Sequence, residues 1–243
     1  MKIEVCAGNV QDCITAEKAG AHQVELNSAV HLGGLTPSLG TLILAKEKVS
    51  IPLFPMLRTR GGGFHYNDVE VETMRKDAHL FGEHKADGLV FGFLNKDNTV
   101  DAKLTKEFAD ICKSYNIDAI YHRAFDCTPD AIAAIETLIE CGITRILTSG
   151  QTPSAYDGME LLAKLQKDYG DKIELVIGSG VNGDNAKEIL ERTGVHQLHA
   201  SFKSWANDPT TNSSNVSYEY SDKGSYEEAN LELIKTLITN ISK

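Results

Sequence analysis

Several features are scarce or absent in this 243-residue sequence, and each absence excludes a class of protein. No segment approaches the ~20 apolar residues of a membrane-spanning helix. The chain begins Met1-Lys2-Ile3-Glu4 and lacks the apolar stretch of a secretory signal peptide. The five cysteines are scattered and form no C-x-x-C pair, which favours reduced thiols over a disulfide framework. We therefore expect a cytoplasmic protein with no membrane partner.

Basic residues are also in deficit, because 24 Lys and Arg stand against 34 Asp and Glu, a formal net charge of −10. This balance argues against a broad binding surface for nucleic acid or for an anionic membrane. A small anionic ligand stays compatible with it, since a few local residues can reverse the sign of the field. The hydrophobic content of 42% is ordinary for a globular protein and excludes global disorder.

Short apolar runs alternate with longer amphipathic ones along the chain. Eight runs are predicted to be strands: Ile3–Ala7, Gln23–Asn27, Leu53–Arg58, Gly88–Leu94, Asp118–Arg123, Arg145–Gly150, Glu174–Gly180 and Gln197–Ser201. They recur at intervals of roughly 20–35 residues, which is the length of one βα unit in a parallel sheet. Eight such units predict a single α/β domain over residues 1–243, an all-parallel eight-stranded (β/α)8 TIM barrel. An open doubly wound sheet is the alternative, because periodicity alone does not show closure.

Cap residues mark the ends of the helices between these strands. Four glycines each precede a strand and are expected as left-handed helix ends: Gly20, Gly142, Gly170 and Gly194. The sixth helix is predicted to begin at Pro153 and the last to run from about Tyr226 to Ile241. Before that last helix, a polar segment at about 204–225 is longer than an ordinary βα connection. It is predicted to be a lid, an oligomer contact or a mobile solvent loop.

Ionisable residues collect at the downstream ends of the predicted strands, where the active face of a TIM barrel lies. Arg58 ends predicted strand three and Arg60 follows it, and Gly178-Ser179-Gly180 ends predicted strand seven, where backbone N–H groups often cradle phosphate. These residues predict an anion site. The alternative for the charged set is a layer of structural salt bridges inside the barrel, and the alternative for the glycines is a tight turn.

Two further kinds of chemistry are open at these strand ends. Glu25, His122 and Asp126 are candidates for general acid and base catalysis, since a mixed-charge pocket tunes their pKa values. Cys6 is a candidate metal ligand, for copper(I) together with Met56, His122 or His199 from other strands. The alternative for Cys6 is a buried thiol that only packs.

A set of seven motifs gives the sequence a family resemblance. They are Glu4-Val5-Cys6, Val24-Glu25-Leu26, Gly33-Gly34-Leu35-Thr36-Pro37-Ser38, Met56-Leu57-Arg58-Thr59-Arg60-Gly61-Gly62, His122-Arg123-Ala124-Phe125-Asp126, Leu147-Thr148-Ser149-Gly150 and Gly178-Ser179-Gly180-Val181. In this order, up to about Ser201, they resemble the CutC family. The resemblance implies a (β/α)8 barrel, a cytoplasmic location, a role in copper homeostasis and copper binding, with Cys6 matching the family's first-strand cysteine.

The sequence departs from the family pattern at two positions. Asn27 stands where the family often has a second cysteine, and Thr59 where it often has proline within the Arg-x-Arg motif. An amide oxygen replaces sulfur poorly as a copper(I) ligand. An enzyme that acts on a small anionic or phosphorylated metabolite is therefore the alternative function. A scaffold that acts by association is a third, and we expect a homo-oligomer for a barrel of this size.

Overall fold

A computed structural model describes residues 1–242 and contains ten strands and eight α-helices within that range. The strands are β1 Lys2–Ala7, β2 Gln23–Leu26, β3 Leu53–Pro55, β4 Gly88–Phe91, β5 Asp118–Tyr121, β6 Arg145–Thr148, β7 Glu174–Ile177, β8 Gln197–Ala200, β9 Lys203–Ala206 and β10 Tyr226–Ala229. The helices are α1 Val10–Ala19, α2 Leu39–Lys48, α3 Asp68–Glu83, α4 Ala102–Tyr115, α5 Ala131–Cys141, α6 Met159–Tyr169, α7 Ala186–Thr193 and α8 Leu231–Ile241.

The first eight strands form one parallel sheet that closes on itself. The hydrogen-bonded order is β3-β2-β1-β8-β7-β6-β5-β4, so β3 and β4 are the two ends of this series. A parallel bridge between Met56 and Val90 joins those ends, and the Leu57 N–H donates to the Val90 carbonyl at 2.7 Å. The predicted (β/α)8 barrel is thus confirmed, and closure excludes the open doubly wound sheet.

The helix boundaries follow from side-chain caps that the sequence supplies. Asn67 and Glu70 form a reciprocal capping box at the start of α3, which satisfies two backbone donors that the helix leaves free. The helices α1, α5 and α7 end at Gly20, Gly142 and Gly194, which adopt the predicted left-handed conformation. The same expectation for Gly170 is wrong: its φ of −64° is right-handed, because a further turn separates α6 from β7.

Several predicted boundaries also need correction. Strands β4 and β7 end at Phe91 and Ile177 rather than at Leu94 and Gly180. β3 ends at Pro55, not at Arg58, because the chain leaves the ladder after its bridge at Met56. Helix α6 begins at Met159, since a series of turns occupies the residues that follow Pro153. The last helix begins at Leu231 rather than near Tyr226: Asn230 caps it, and residues 226–229 are strand.

The barrel interior has layers of different polarity. At the amino ends of the strands, Arg145 forms ion pairs with Asp118 and Glu174, both at 3.1 Å, and lies 3.9 Å from Glu4. Above it, an apolar layer comprises Phe54, Met56, Val90 and Ile120. The salt-bridge layer considered from sequence therefore exists, but it lies at the amino end and accounts for few of the charges at the carboxyl end.

The polar segment after β8 begins and ends as an antiparallel ribbon. Lys203–Ala206 pairs with Tyr226–Ala229, and residues 207–225 connect the two strands. The Ala229 N–H donates to the buried Asp12 carboxylate at 2.9 Å, which ties the ribbon to α1. Tyr220 packs on His31 with ring centroids 4.8 Å apart. In residues 1–242, no helix has the length and apolar character needed to cross a membrane.

Candidate functional site

A cavity of about 270 Å³ opens among the carboxyl ends of the barrel strands. We call it the mouth cavity. Its lining comes from six barrel strands or the segments that follow them, and from the loop after β2: Cys6, Glu25, Val30, Gly33, Met56, Arg58, Phe64, His122, Arg123, Leu147 and His199. Residues far apart in the sequence therefore share one cavity, as expected for side chains at the strand ends of a barrel.

One wall of the mouth cavity carries a thiol, a carboxylate and an imidazole. Cys6, Glu25 and His199 come from β1, β2 and β8, which are adjacent strands, and their ligand atoms all lie within 4.8 Å of one another. Glu25 and His199 are buried, at 4% and 9% exposure. Nδ1 of His199 lies 2.8 Å from Oε1 of Glu4, and this contact directs Nε2 to other partners. We call these three residues the Cys–Glu–His wall.

Burial and mutual charge set the protonation of this wall. Burial raises the pKa of Glu25, the imidazole of His199 opposes that change, and the Glu4 carboxylate adds to it. Burial likewise raises the pKa of the Cys6 thiol, and the Glu25 carboxylate raises it further. For His199, burial disfavours the charged ring, but Glu25 and Glu4 prevail and hold the pKa well above its ordinary value. His199 is therefore a cation at neutral pH, beside carboxylates.

A second group of lining residues consists of Arg58, His122 and Arg123, and we call it the arginine wall. His122 is 4% exposed, its Nδ1 accepts the Ala124 N–H at 3.1 Å, and its Nε2 is buried without a partner among residues 1–242. Burial and the Arg58 charge lower the pKa of His122 to about 3. His122 is thus neutral at physiological pH, in contrast to His199.

Arg58 is a buried cation that holds two loops together. Its Nη1 donates to the carbonyls of Leu32 and Gly34, at 3.0 and 3.1 Å, and its Nη2 donates to that of Gly62 at 2.7 Å. Its Nε is buried without a partner within residues 1–242, and no carboxylate of that range lies within 4.0 Å of the guanidinium. Its positive charge therefore has carbonyl dipoles and the Phe64 ring, whose centroid lies 5.2 Å from Cζ, as partners, and no carboxylate.

Five of the predicted site residues lie outside the cavity lining, and two of them, Arg60 and Asp126, carry charges. The Arg60 guanidinium pairs with Glu70 at 2.6 Å and also donates to backbone carbonyls of its own loop. The Asp126 carboxylate accepts from the Thr148 hydroxyl, from two backbone N–H groups and from Nε of Arg123. Both charged groups already have protein partners and stabilise their own loops. The structure does not bring them together with Cys6, Glu25 and His122.

The glycine-rich segment after β7 lies beside the cavity rather than in its lining. A Cβ atom at Gly178 would lie 2.8 Å from Cδ1 of Leu147 and 3.3 Å from the His199 ring, so glycine at this position makes room for both side chains. Ser179 has a φ of +82°, and its hydroxyl donates to the Pro153 carbonyl at 2.7 Å. Gly180 accepts from the side chains of Asn182 and Asn185.

Two residues contribute to the cavity in ways that were not predicted from the sequence. Asn27 donates through Nδ2 to Oε1 of Glu25 at 2.9 Å and to Sγ of Cys6 at 3.4 Å, so it links two members of the Cys–Glu–His wall. Asn27 and Glu25 are two positions apart in the predicted strand two, so their side chains share one face. This spacing was the sequence signal for the contact between them. Phe64 packs against His122, with ring centroids 4.7 Å apart, and lies in a loop where alternation gives no indication.

Together, the closed barrel and its thiol-containing mouth define a TIM-barrel protein with one polar, strand-end site. The chain belongs to the CutC family: the family model matches residues 1–204. A CutC family protein of Treponema denticola is 44% identical over 99% of both chains. The human copper homeostasis protein cutC homolog is 41% identical, over 83% of this chain and 73% of that one.

A solved structure gives the same assignment. A CutC crystal structure from Streptococcus agalactiae superposes with a TM-score of 0.77 at 32% identity, and covers 83% of this chain and 98% of that chain. Phosphoribosyl anthranilate isomerase of Thermotoga maritima superposes with a TM-score of 0.58 at 12% identity, over 100% of this chain and 98% of that chain. At that identity the likeness shows the fold alone.

Proposed function

We propose that the protein binds copper(I) at the Cys–Glu–His wall and serves copper homeostasis in the cytoplasm. The observation that carries this proposal is the convergence of a thiol, an imidazole and a carboxylate within 4.8 Å, from three adjacent strands. The names of the human and mouse relatives, copper homeostasis protein cutC homolog, support the choice of metal. The five cysteines are all unpaired thiols, in keeping with a reducing compartment.

The donor set fits copper(I) through two of its members. Thiolate and imidazole are ligands that this soft ion accepts, so Sγ of Cys6 and Nε2 of His199 would hold it. Nδ1 of His199 is held by Glu4, an arrangement that orients a metal-binding imidazole and raises its basicity. Met56 lies in the same lining and offers a thioether.

Glu25 would contribute charge more than a bond, because a hard carboxylate oxygen is a poor ligand for copper(I). Binding requires that Cys6 lose its thiol proton and that Nε2 of His199 be free of its own. Because the pKa values of both groups are raised, protons compete with the metal at neutral pH. Copper(I) affinity should therefore increase as the pH rises.

Competition with a copper(I) chelator tests the proposal. The wild type, Cys6→Ser and Cys127→Ser would be titrated against bathocuproine disulfonate under reducing conditions. Cys127 is an exposed free thiol and is the matched control. We expect Cys6→Ser to lose high-affinity binding and Cys127→Ser to retain it. Equal and weak binding by all three proteins would exclude a specific thiolate site.

A gain of affinity gives an independent test. Nδ2 of Asn27 lies 3.4 Å from Sγ of Cys6, so a thiol at position 27 would stand near the first one. We expect Asn27→Cys to bind copper(I) more tightly than the wild type, by about tenfold, or about 1.4 kcal/mol. An unchanged affinity would place the metal away from this wall.

A further inference from the structure

The arginine wall contains a hydrogen-bond donor that the protein does not use. Because Nδ1 of His122 accepts the Ala124 N–H, the proton of the neutral ring lies on Nε2. This Nε2–H is buried and has no acceptor among residues 1–242. A buried donor without an acceptor is unfavourable, because it has lost its hydrogen bond to water and gained none in return. A ligand oxygen at this point would remove that cost.

Two arginines share the cavity lining with this donor. Arg58 lies in the same lining, is 5% exposed and has no carboxylate within 4.0 Å in the described part of the chain. Arg123 also lines the cavity and directs Nε and Nη2 to Asp126 and Ser149. Its pairing with Asp126 offsets one charge, and the buried Arg58 charge is left without an anion. An anionic ligand would be stabilised here.

The size and the rest of the lining indicate an organic ligand. The cavity volume of about 270 Å³ exceeds what one metal ion occupies, since one water molecule takes about 30 Å³ in the liquid. Val30, Met56, Phe64 and Leu147 supply apolar surface beside the charged groups. Phe64 packs on the His122 ring and is itself only partly buried. A short carbon skeleton fits this lining better than an inorganic ion does.

We propose that the mouth cavity binds a small organic carboxylate, whose oxygen accepts the Nε2–H of His122 and whose charge is balanced by Arg58. The ligand lies beside the Cys–Glu–His wall and shares none of its metal ligands. This proposal goes beyond copper binding and does not depend on it.

The test uses pyruvate, its neutral analogue pyruvamide, and inorganic phosphate as probes on the full chain. Titration calorimetry gives the affinities, and ¹⁵N NMR of the labelled protein follows the His122 ring. We expect pyruvate to bind and shift the His122 Nε2 signal, and pyruvamide and phosphate to bind more weakly. Failure of pyruvate to bind at millimolar concentration would overturn the proposal. Preference for phosphate would overturn the carboxylate assignment.

Variants of His122 connect binding to the donor. His122→Phe removes the Nε2–H and keeps a ring against Phe64, whereas His122→Gln keeps an N–H donor at a similar position. We expect a roughly tenfold loss of pyruvate affinity in the first, as for one buried hydrogen bond, and partial recovery in the second. The exposed His196→Phe is the matched control and should bind as the wild type does. Equal affinities in all four proteins would refute the role of His122.

The copper proposal fails separately from this one. Cys6→Ser should lose copper(I) and keep pyruvate, because Cys6 is not on the arginine wall. His122→Phe should lose pyruvate and keep copper(I). If Cys6→Ser and His122→Phe each lost both ligands while circular dichroism showed a native fold, the idea of two separate sites would be overturned in favour of a single shared one.

Discussion

The two walls of the mouth cavity hold one histidine each, and they shift the pKa values of the two rings in opposite directions. His199 contacts Glu4 and lies near Glu25, and its pKa is raised well above the ordinary value. His122 lies beside Arg58, and burial together with that charge lowers its pKa to about 3. Both histidines lie on or directly after barrel strands, and both are nearly inaccessible. Neighbouring charge, rather than residue type or position on a strand, therefore decides the protonation.

This difference divides the cavity by ligand preference. The Cys–Glu–His wall has a carboxyl group and a thiol, and the Glu4 carboxylate lies against His199, an arrangement that suits a cation. The arginine wall has excess guanidinium and a free N–H donor, which suits an anion. Four substitutions test this difference between the two walls and the rest of the molecule. Their expected effects decrease from His122→Phe to Tyr220→Ala.

Removal of the neutral histidine should change the acid stability of the protein. The folded pKa of His122, about 3, lies below the ordinary value of 6.5, so the unfolded chain takes up the proton first and stability falls as pH falls from 6.5 towards 3. His122→Phe abolishes this dependence and should spare roughly 3 kcal/mol of the stability lost between about pH 7 and pH 4. Urea unfolding at both pH values measures the difference, with His196→Phe as control. An equal loss of stability on acidification in His122→Phe and in the wild type would contradict the lowered pKa of His122.

Removal of the carboxylate behind His199 should weaken the metal site. Glu4→Gln preserves the size and an acceptor oxygen but takes away the charge that orients the ring and raises its basicity. We expect copper(I) affinity to fall by roughly 10–100-fold, the usual effect of losing such a partner. Glu174→Gln is the control, because Glu174 pairs with the same Arg145 and does not contact His199. A similar loss in both variants would point to the ion-pair layer instead.

A methyl group behind His122 should disturb only the arginine wall. A Cβ at Gly92 would lie 2.5 Å from Cε1 and 2.6 Å from Nδ1 of the His122 ring. Gly92→Ala should cost about 1–3 kcal/mol of unfolding free energy, as overpacking does. Gly63→Ala, where a Cβ meets no atom within 4 Å, should cost much less. Thermal unfolding measures the cost of each substitution. Equal stabilities of Gly92→Ala and Gly63→Ala would show that the residues around His122 move to accommodate the added methyl group.

The ribbon should matter least, since its connection is largely exposed. Tyr220→Ala removes the stacking on His31 and on Trp205, at 4.8 and 5.8 Å, and should cost about 0.5–1 kcal/mol. Chemical denaturation measures this cost. Tyr218→Ala, at a residue that is 81% exposed, is the control and should be neutral. A loss well above 1 kcal/mol in Tyr220→Ala would mean that the ribbon is coupled to the barrel more tightly than these contacts indicate.

Much of the fold was predictable, because strand and helix periods are local properties of the sequence. The predicted strands all exist, and three of the four predicted glycine caps are left-handed. The prediction of the last helix was wrong from Tyr226 to Asn230, because residues 226–229 pair as strand β10 with Lys203–Ala206 across the intervening loop and Asn230 caps α8. Pairing over such a separation leaves no short-range pattern.

The site was predictable in its members more than in their roles. Their positions near the downstream ends of the predicted strands assigned Cys6, Glu25, Arg58 and His122 to one end of the barrel, and the structure places all four in one lining. Arg60 and Asp126 are equally near strand ends in the sequence. In the structure, however, Arg60 forms an ion pair with Glu70, and Asp126 accepts hydrogen bonds from Thr148 and Ser149 at the end of β6. Such local pairing depends on loop conformation, which alternation does not encode.

The sequence by itself determined the eight βα units and the family to which the chain belongs, because both are carried by residue order and by apolar periods of two and 3.6. Only the tertiary structure decided which charges meet. It set Glu4 against His199 and Arg58 beside His122, and so made one ring a cation and the other neutral. The physical reason is that electrostatic energy depends on distance and burial, and barrel closure fixes both.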